Sequence, residues 1–249
     1  MNHSISICIA TRNHAPLLRR TLDSIFQQLP IRHVRVEVIV ADDGSDDDTA
    51  AMLKGYCVRY FRLENSTYRN GVFAKNTAMR AATGDIIIQQ SDDVIHASPN
   101  LIRDLVDDFQ PGTFKICTIY DFDTATGEMN SLKTGSKNPR PLFWLGASWR
   151  EDVCKVGGYD PELGSVLWYD DDWHANGLVR GLQLTPEYVP LLGLHQSHER
   201  PEYDPTPAQY IYESKRLAAI FDGGSWLSSS GPWPFVQGKS VNEVERHAA

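Results

Sequence analysis

The sequence predicts an α/β protein with one mostly parallel sheet, and three observations carry that expectation. Short runs dense in isoleucine and valine alternate with runs whose apolar residues recur at helical spacing, from Ser4 through Ser91. The triplet Ile86-Ile87-Ile88 lacks polar alternation, as a strand covered on both faces requires. At 249 residues the chain has room for one large domain with a sizeable core.

Ser4 to Ala10 carries isoleucine at every second position and reads as a first strand, followed by the polar turn Thr11-Arg12-Asn13-His14. Pro16 suits the first turn of a helix whose apolar face is Leu18, Leu22, Ile25, Phe26 and Leu29, ending near Pro30. Val34 to Val40 is a second strand, running into the acidic stretch Ala41-Asp42-Asp43-Gly44-Ser45-Asp46-Asp47-Asp48. There Ser45, with Asp48 three places on, reads as a capping box for a short helix. Val58 to Leu63 is a third strand, and Val72 to Ala82 is a helix that Gly84 breaks ahead of the isoleucine strand.

Successive βαβ units of this kind have right-handed crossovers and build a parallel, Rossmann-like sheet. The carboxyl ends of the strands then share one edge, where open α/β sheets bind ligands. Asp42 and Asp43 thereby come to the same side as Asp92 and Asp93. Acids gathered in this way destabilise one another unless donors or a metal compensate. A cation, and through it a phosphate, is therefore the ligand these strand ends predict, while a capping role for Asp92 is the plainer alternative.

Beyond Asp93 the pattern predicts a helix over Pro99 to Phe109, a strand over Phe114 to Tyr120, and a polar loop or hairpin from Asp121 to Pro141. A soft boundary falls there, dividing the chain into 1–121, 122–222 and a Gly/Ser/Pro-rich tail, 223–249. The middle part holds the aromatic stretch Leu142-Phe143-Trp144, the turn Gly157-Gly158-Tyr159-Asp160, and the acidic run Asp170-Asp171-Asp172 between Trp168-Tyr169 and Trp173. Ala175 to Gly181 has helical character, Val189 to Leu194 is apolar, and Pro207 to Phe221 reads as a helix. In the tail, Trp226, Trp233 and Phe235 predict docking on the rest of the chain.

A net charge of −8 argues against nucleic acid as a partner, because such binding draws on Lys and Arg. It leaves room for an anion carried on a metal. The four cysteines are far apart, with no Cys-x-x-Cys spacing, which argues against zinc and for reduced thiols in a cytoplasmic setting. No basic-then-apolar leader is visible, and no apolar run approaches the roughly 20 residues of a membrane span. Peripheral membrane contact stays open.

Taken in order, these segments resemble the inverting family two glycosyltransferases, which have the GT-A fold. The matching stretches are Ala10-Thr11-Arg12-Asn13, Val40 to Thr49 with Asp42-Asp43-Gly44-Ser45, and Asn70-Gly71-Val72-Phe73-Ala74-Lys75-Asn76. They continue with Ala82-Thr83-Gly84-Asp85-Ile86-Ile87, Ser91-Asp92-Asp93, Gly157-Gly158-Tyr159-Asp160 and Tyr169-Asp170-Asp171-Asp172, covering about residues 4 to 181.

The resemblance implies a single GT-A domain with a nucleotide-sugar half and a smaller acceptor-side region carrying the base. Asp43 would bind the nucleotide base under the turn Thr11, Arg12 and Asn13, Asp92 would face the ribose, and Asp93 would ligate Mn²⁺ or Mg²⁺ bridging the donor phosphates. Lys75 stands where the family carries Arg, keeping the charge on the nucleotide side but not the planar fork. The implied donor is a nucleoside-diphosphate sugar, most often a UDP-sugar, and the acceptor a glycan or other hydroxyl used in polysaccharide or glycoconjugate synthesis.

Inverting transfer needs a carboxylate to take the acceptor's proton, here Asp170, or Asp171 in a register one place along. Tyr169, in place of the family's Glu, leaves that register open. His195, ahead of His198, is the implied further metal ligand. Trp144, Trp149, Trp168 and Trp173 would cluster on the acceptor side, with Trp168 and Tyr169 stacking on the sugar. Two other classes compete: a nucleotide-sugar or glycan-binding domain without activity, and a sugar nucleotidyltransferase. The latter's glycine-rich loop is missing from Ala10 to Pro16.

Overall fold

A computed structural model describes residues 3–64, 71–164, 169–199 and 206–248. The first half contains β1 (Ile5–Thr11), α1 (Ala15–Phe26), β2 (Val36–Asp42), α2 (Thr49–Leu53), β3 (Arg59–Arg62), α3 (Val72–Ala81) and β4 (Ile86–Ser91). There follow β5 (Val94–His96), α4 (Leu101–Val106), β6 (Thr113–Phe122), β7 (Met129–Thr134), β8 (Leu145–Trp149) and α5 (Arg150–Val156). The chain ends with α6 (Tyr169–Asn176), β9 (Thr185–Gln196), α7 (Thr206–Phe221) and α8 (Val241–Ala248).

Among the described residues one nine-stranded sheet runs β3-β2-β1-β4-β8-β6-β9-β5, with β7 paired to β6. Strands β3, β2, β1 and β4 are mutually parallel, in the βαβ succession that the sequence predicts. Beyond β4 the sheet becomes mixed: β8 is antiparallel to β4 and β6, while β6 and β9 are parallel. The fold is thus a mixed α/β GT-A-type sheet with a parallel, Rossmann-like half, and β6 carries it continuously past position 121.

The isoleucine triplet explains the two-sided core. Ile86 and Ile88 pack with Ile5, Ile7, Ile9 and the α1 residues Leu18, Leu22 and Ile25. Ile87 points the other way, joining Cys8, Ile39 and the α3 residues Ala74, Ala78 and Met79. All three are fully buried. Each contributes on the order of 1.5–3 kcal/mol of burial, which a polar residue in an alternating strand would forgo.

Several local expectations change. Ser45 does not cap α2: its hydroxyl accepts from the Asn13 N–H at 2.9 Å and its N–H donates to Asp42 Oδ1 at 2.7 Å. Asp47 serves the helix start instead, accepting from the Thr49 N–H at 3.0 Å. The acidic stretch thus ties the turn after β1 to the turn after β2. Helix α4 is shorter than expected because Asn100 and Asp108 on either side adopt positive φ, 58° and 51°. Helix α6 begins at Tyr169 rather than Ala175 and so contains the acidic run.

The tail docks as its aromatic residues suggest. The Trp233 N–H donates to the Cys154 carbonyl at 2.7 Å, and its ring fills the space beside Gly158, where a Cβ would lie 2.2 Å from it. Gly158 also has φ +67°, so both conformation and space exclude a side chain there. Cys8, Cys117 and Cys154 are buried thiols, and Cys57 is exposed. Among the described residues no helix is long and apolar enough to cross a membrane.

Two buried histidines are locked neutral. His96 donates from Nε2 to Gln90 Oε1 at 2.7 Å and accepts at Nδ1 from the Gln28 amide at 2.9 Å. His174 likewise lies between the Gly158 carbonyl, 3.1 Å from Nδ1, and the Gln89 amide, 3.3 Å from Nε2. Burial lowers both, to about 3 for His96 and about 4 for His174. A depressed histidine binds its proton more readily unfolded, so its stabilisation is complete above the unfolded value near 6.5 and fades as pH falls toward the folded one. Wild type and His96→Gln, compared by urea unfolding, should therefore converge below pH ~6.5, by about 1.4 kcal/mol per pH unit. A constant gap down to pH ~5 would contradict a neutral His96.

Candidate active site

A cavity of about 1170 Å³ opens at the carboxyl ends of β1, β2 and β4. Thr11, Arg12, Asn13, Asp43, Lys75, Asp92, Asp93, Asp170, Asp171 and His195 all line it. Trp168 lies outside the described residues. Tyr169 does not line the cavity: it is buried, its ring tilted against Tyr212 at 4.9 Å in a cluster with Leu163 and Trp173.

The expected tryptophan cluster also divides. Trp144 lines the cavity, edge-on to His195 at 4.3 Å. Trp149 pairs with Ile86 at the opposite end of β4 and packs on His3 and Phe109, away from the acceptor side. Trp173 is buried against Tyr212 and Trp226.

The paired acids at each strand end prove unlike. Asp42 is fully buried and outside the cavity lining, accepting from the Tyr60 hydroxyl at 2.6 Å and pairing with Arg62 at 3.3 Å. Asp43 faces the cavity, because successive residues of an extended chain point to opposite sides. Arg12 donates to the Asp43 carbonyl, drawing the β1 turn over it. Asp92 Oδ2 accepts from the Thr11 hydroxyl at 2.6 Å and lies 3.1 Å from His14 Nδ1.

No sequence pattern marks His14 as a site residue. Burial alone would lower it, but the hydrogen bond and charge of Asp92, with Asp93 and Asp47, raise it to about 9. It therefore adds a positive charge to the cavity at neutral pH.

Asp93 sits between two imidazoles. Its Oδ2 is 3.2 Å from His195 Nε2 and 3.1 Å from His198 Nε2, and one donor atom from each of the three residues falls within 4.8 Å of the others. Ser91 donates to Oδ1 at 2.7 Å. Burial would raise this carboxyl, but the hydrogen bonds and charge of the histidines outweigh it and hold Asp93 ionised.

The remaining ring nitrogens are engaged as well, His195 Nδ1 with Asp121 Oδ1 at 2.8 Å and His198 Nδ1 with the Glu199 carbonyl at 2.7 Å. Both of those partners are acceptors, so each Nδ1 carries the proton. Neutral rings would then aim two Nε2 lone pairs at an anionic oxygen. Either extra protons or a cation must lie between them, and one carboxylate with two imidazoles is a donor set that suits Mn²⁺. The sequence favoured His195 over His198; the fold brings both to Asp93.

On the opposite wall, Lys75 Nζ lies 2.8 Å from Asp170 Oδ2 and 3.0 Å from Asp171 Oδ1, with the Tyr159 ring 4.4 Å beneath it. Burial would lower this ammonium, but the two carboxylates outweigh it and raise it, so Lys75 is cationic. Its charge is directed at the acid pair. Both acids lie in the first turn of α6, where the helix dipole favours negative charge. Asp172 turns away to accept from the Tyr212 hydroxyl and the Asn176 amide. Behind Lys75, Tyr159 donates to Gln89 Oε1 at 2.7 Å and stacks on His174 at 4.5 Å.

Residues 6–158 match the family described as glycosyl transferase family 2. The fold is similar to the mannosyltransferase PcManGT from Pyrobaculum calidifontis, solved in complex with GDP-Man and Mn²⁺, at TM-score 0.59 and 19% identity over 89% of this chain and 71% of that one. It is also similar to S. aureus TarS, at TM-score 0.62 and 14% identity, covering 86% of this chain but only 40% of TarS. No curated protein matches the sequence. The family match spans more than half of the chain, and the chain belongs to glycosyl transferase family 2.

Proposed function

We propose that this protein is a metal-dependent, inverting glycosyltransferase that moves a sugar from a nucleoside-diphosphate donor, a UDP-sugar, to a hydroxyl of a glycan or other acceptor in polysaccharide or glycoconjugate synthesis. The observation that carries the reading is the presence, in one cavity, of an ionised carboxylate flanked by two imidazoles and a separate carboxylate pair held by Lys75.

Residues 1–121 supply the nucleotide side. Asp43 receives the base beneath Arg12 and Asn13, and Asp92, oriented by Thr11 and His14, receives the ribose. Asp93, His195 and His198 would hold Mn²⁺ or Mg²⁺, which when bound neutralises the diphosphate and acts as a Lewis acid toward the leaving group.

Residues 122–222 supply the base. Asp170, or Asp171 one place along, takes the proton of the acceptor hydroxyl as that oxygen bonds to the anomeric carbon and the bond to the diphosphate oxygen breaks. Lys75 orients the pair and offsets its doubled negative charge. Trp144 offers an aromatic face for a sugar ring, and the tail closes the outer side of α5.

The family resemblance supports uridine, whereas the Pyrobaculum mannosyltransferase carries guanosine, so both bases belong in the test. Thermal melting with UDP or GDP, with and without Mn²⁺, should show stabilisation by one diphosphate only when metal is present. At a hundredfold excess over Kd the gain is about 2.7 kcal/mol, roughly 5–10 °C for a chain of this size. Absence of a shift with either diphosphate and Mn²⁺ would contradict the donor class. A shift without sugar turnover would instead favour a binding domain that lacks activity.

A further inference from the structure

We propose that Asp121 is the positioning residue of the metal centre, its carboxylate fixing His195 in the tautomer that presents the Nε2 lone pair beside Asp93. The inference rests on reading Asp93, His195 and His198 as a cation site, and it assigns a role to a residue that touches neither donor nor cation.

Strands β6 and β9 are parallel neighbours, and their register pairs Asp121 with His195. The two side chains therefore leave the sheet on the same face, which brings Asp121 Oδ1 to 2.8 Å from His195 Nδ1. A carboxylate oxygen can only accept, so Nδ1 carries the hydrogen, and the Nε2 lone pair, 3.2 Å from Asp93 Oδ2, is directed at a cation lying between the two. Hydrogen-bonded carboxylates behind metal-bound imidazoles fix ring orientation and raise ligand basicity.

Asp121 is itself tethered. Its Oδ2 accepts from the Ser131 hydroxyl at 2.7 Å and pairs with Lys133 Nζ at 2.6 Å, both from β7. Trp144, edge-on at 4.3 Å, flanks the His195 ring. His198 obtains the same proton placement from the Glu199 carbonyl. The β6–β7 hairpin thus has a chemical task at the metal centre besides extending the sheet.

The test compares wild type with Asp121→Ala and Asp121→Asn, without nucleotide. Free Mn²⁺ is followed by electron paramagnetic resonance during titration, and the His195 tautomer by ¹⁵N NMR of the chain saturated with diamagnetic Mg²⁺. Expected are an Nδ1–H tautomer in wild type, its loss in Asp121→Ala, and Mn²⁺ affinity weakened about 10–100-fold in that variant. Asp121→Asn keeps an acceptor oxygen, so it should restore the tautomer and part of the affinity. It also serves as the test if the alanine variant fails to fold, a weaker Mn²⁺ affinity than wild type then supporting the role. Unchanged Mn²⁺ affinity with an unchanged tautomer, beside a lowered melting temperature, would reduce Asp121 to a strand tie and overturn the proposal. Failure of wild type itself to bind Mn²⁺ would overturn the cation site first, and this proposal with it.

Discussion

Asp170→Asn should retain the nucleoside diphosphate and metal yet lose transfer by about 10²–10⁴-fold in kcat, the usual loss when a general base is removed. The substitution is nearly isosteric, and its amide oxygen can still accept from Lys75, which also keeps Asp171 at 3.0 Å. The fold should therefore survive. The proposed donor contacts are the strand-end residues Asp43, Asp92 and Asp93, on elements other than α6, so melting shifts with diphosphate and Mn²⁺ should match wild type. Single-turnover rates and melting shifts, measured on the same preparations, give the two readouts. A parallel Asp171→Asn fixes the register: if it loses more than Asp170→Asn, the base lies one place along. Loss of donor binding in Asp170→Asn would make that acid structural.

Asp93→Ala should abolish metal-dependent donor turnover. The carboxylate is the only anionic member of its cluster, and both imidazoles converge on its Oδ2. Without it two imidazoles remain, a poor match for a hard cation that prefers oxygen. A cation stabilising the leaving diphosphate contributes several kcal/mol, and each 1.36 kcal/mol is tenfold in rate, so the expected loss is roughly 10²–10⁴-fold. His198→Ala should behave in the same direction with a smaller loss, because the carboxylate and His195 persist. Turnover at the wild-type rate in Asp93→Ala would remove the cluster from the mechanism.

Much of this site was visible in the sequence because it lies where periodicity ends. A strand that stops at an acid points that acid at the sheet edge, and the order of strands and helices fixes which edge. That logic brings Asp42, Asp43, Asp92 and Asp93 to one edge, and the family resemblance then singles out Asp43, Asp92 and Asp93. Its limit appears at Asp42, which was grouped with Asp43; strand alternation sends the two apart, toward Tyr60 and Arg62 in one case and the cavity in the other.

What stayed hidden depends on pairings between distant segments. Asp121 meets His195 through the β6–β9 register, across 74 positions, and Lys75 meets Asp170 across 95. No local pattern encodes either. Lys75 is expected on the nucleotide side because it stands where the family carries Arg; in the structure it faces the carboxylates in the first turn of α6. No sequence signal marks strand β8, where Gly146, Ala147 and Ser148 have little β-propensity, or α8, which follows a stretch rich in Gly, Ser and Pro.

The account stands most directly on nucleoside-diphosphate release. Wild type and Asp93→Ala, each given the sugar nucleotide whose diphosphate stabilises the fold, would be assayed side by side with Mn²⁺ and with a chelator. Release by wild type in Mn²⁺, its disappearance in chelator and its absence in Asp93→Ala are the predicted results. Equal release in all four conditions, or none from wild type with any sugar nucleotide, would contradict a metal-dependent glycosyl transfer at this cavity.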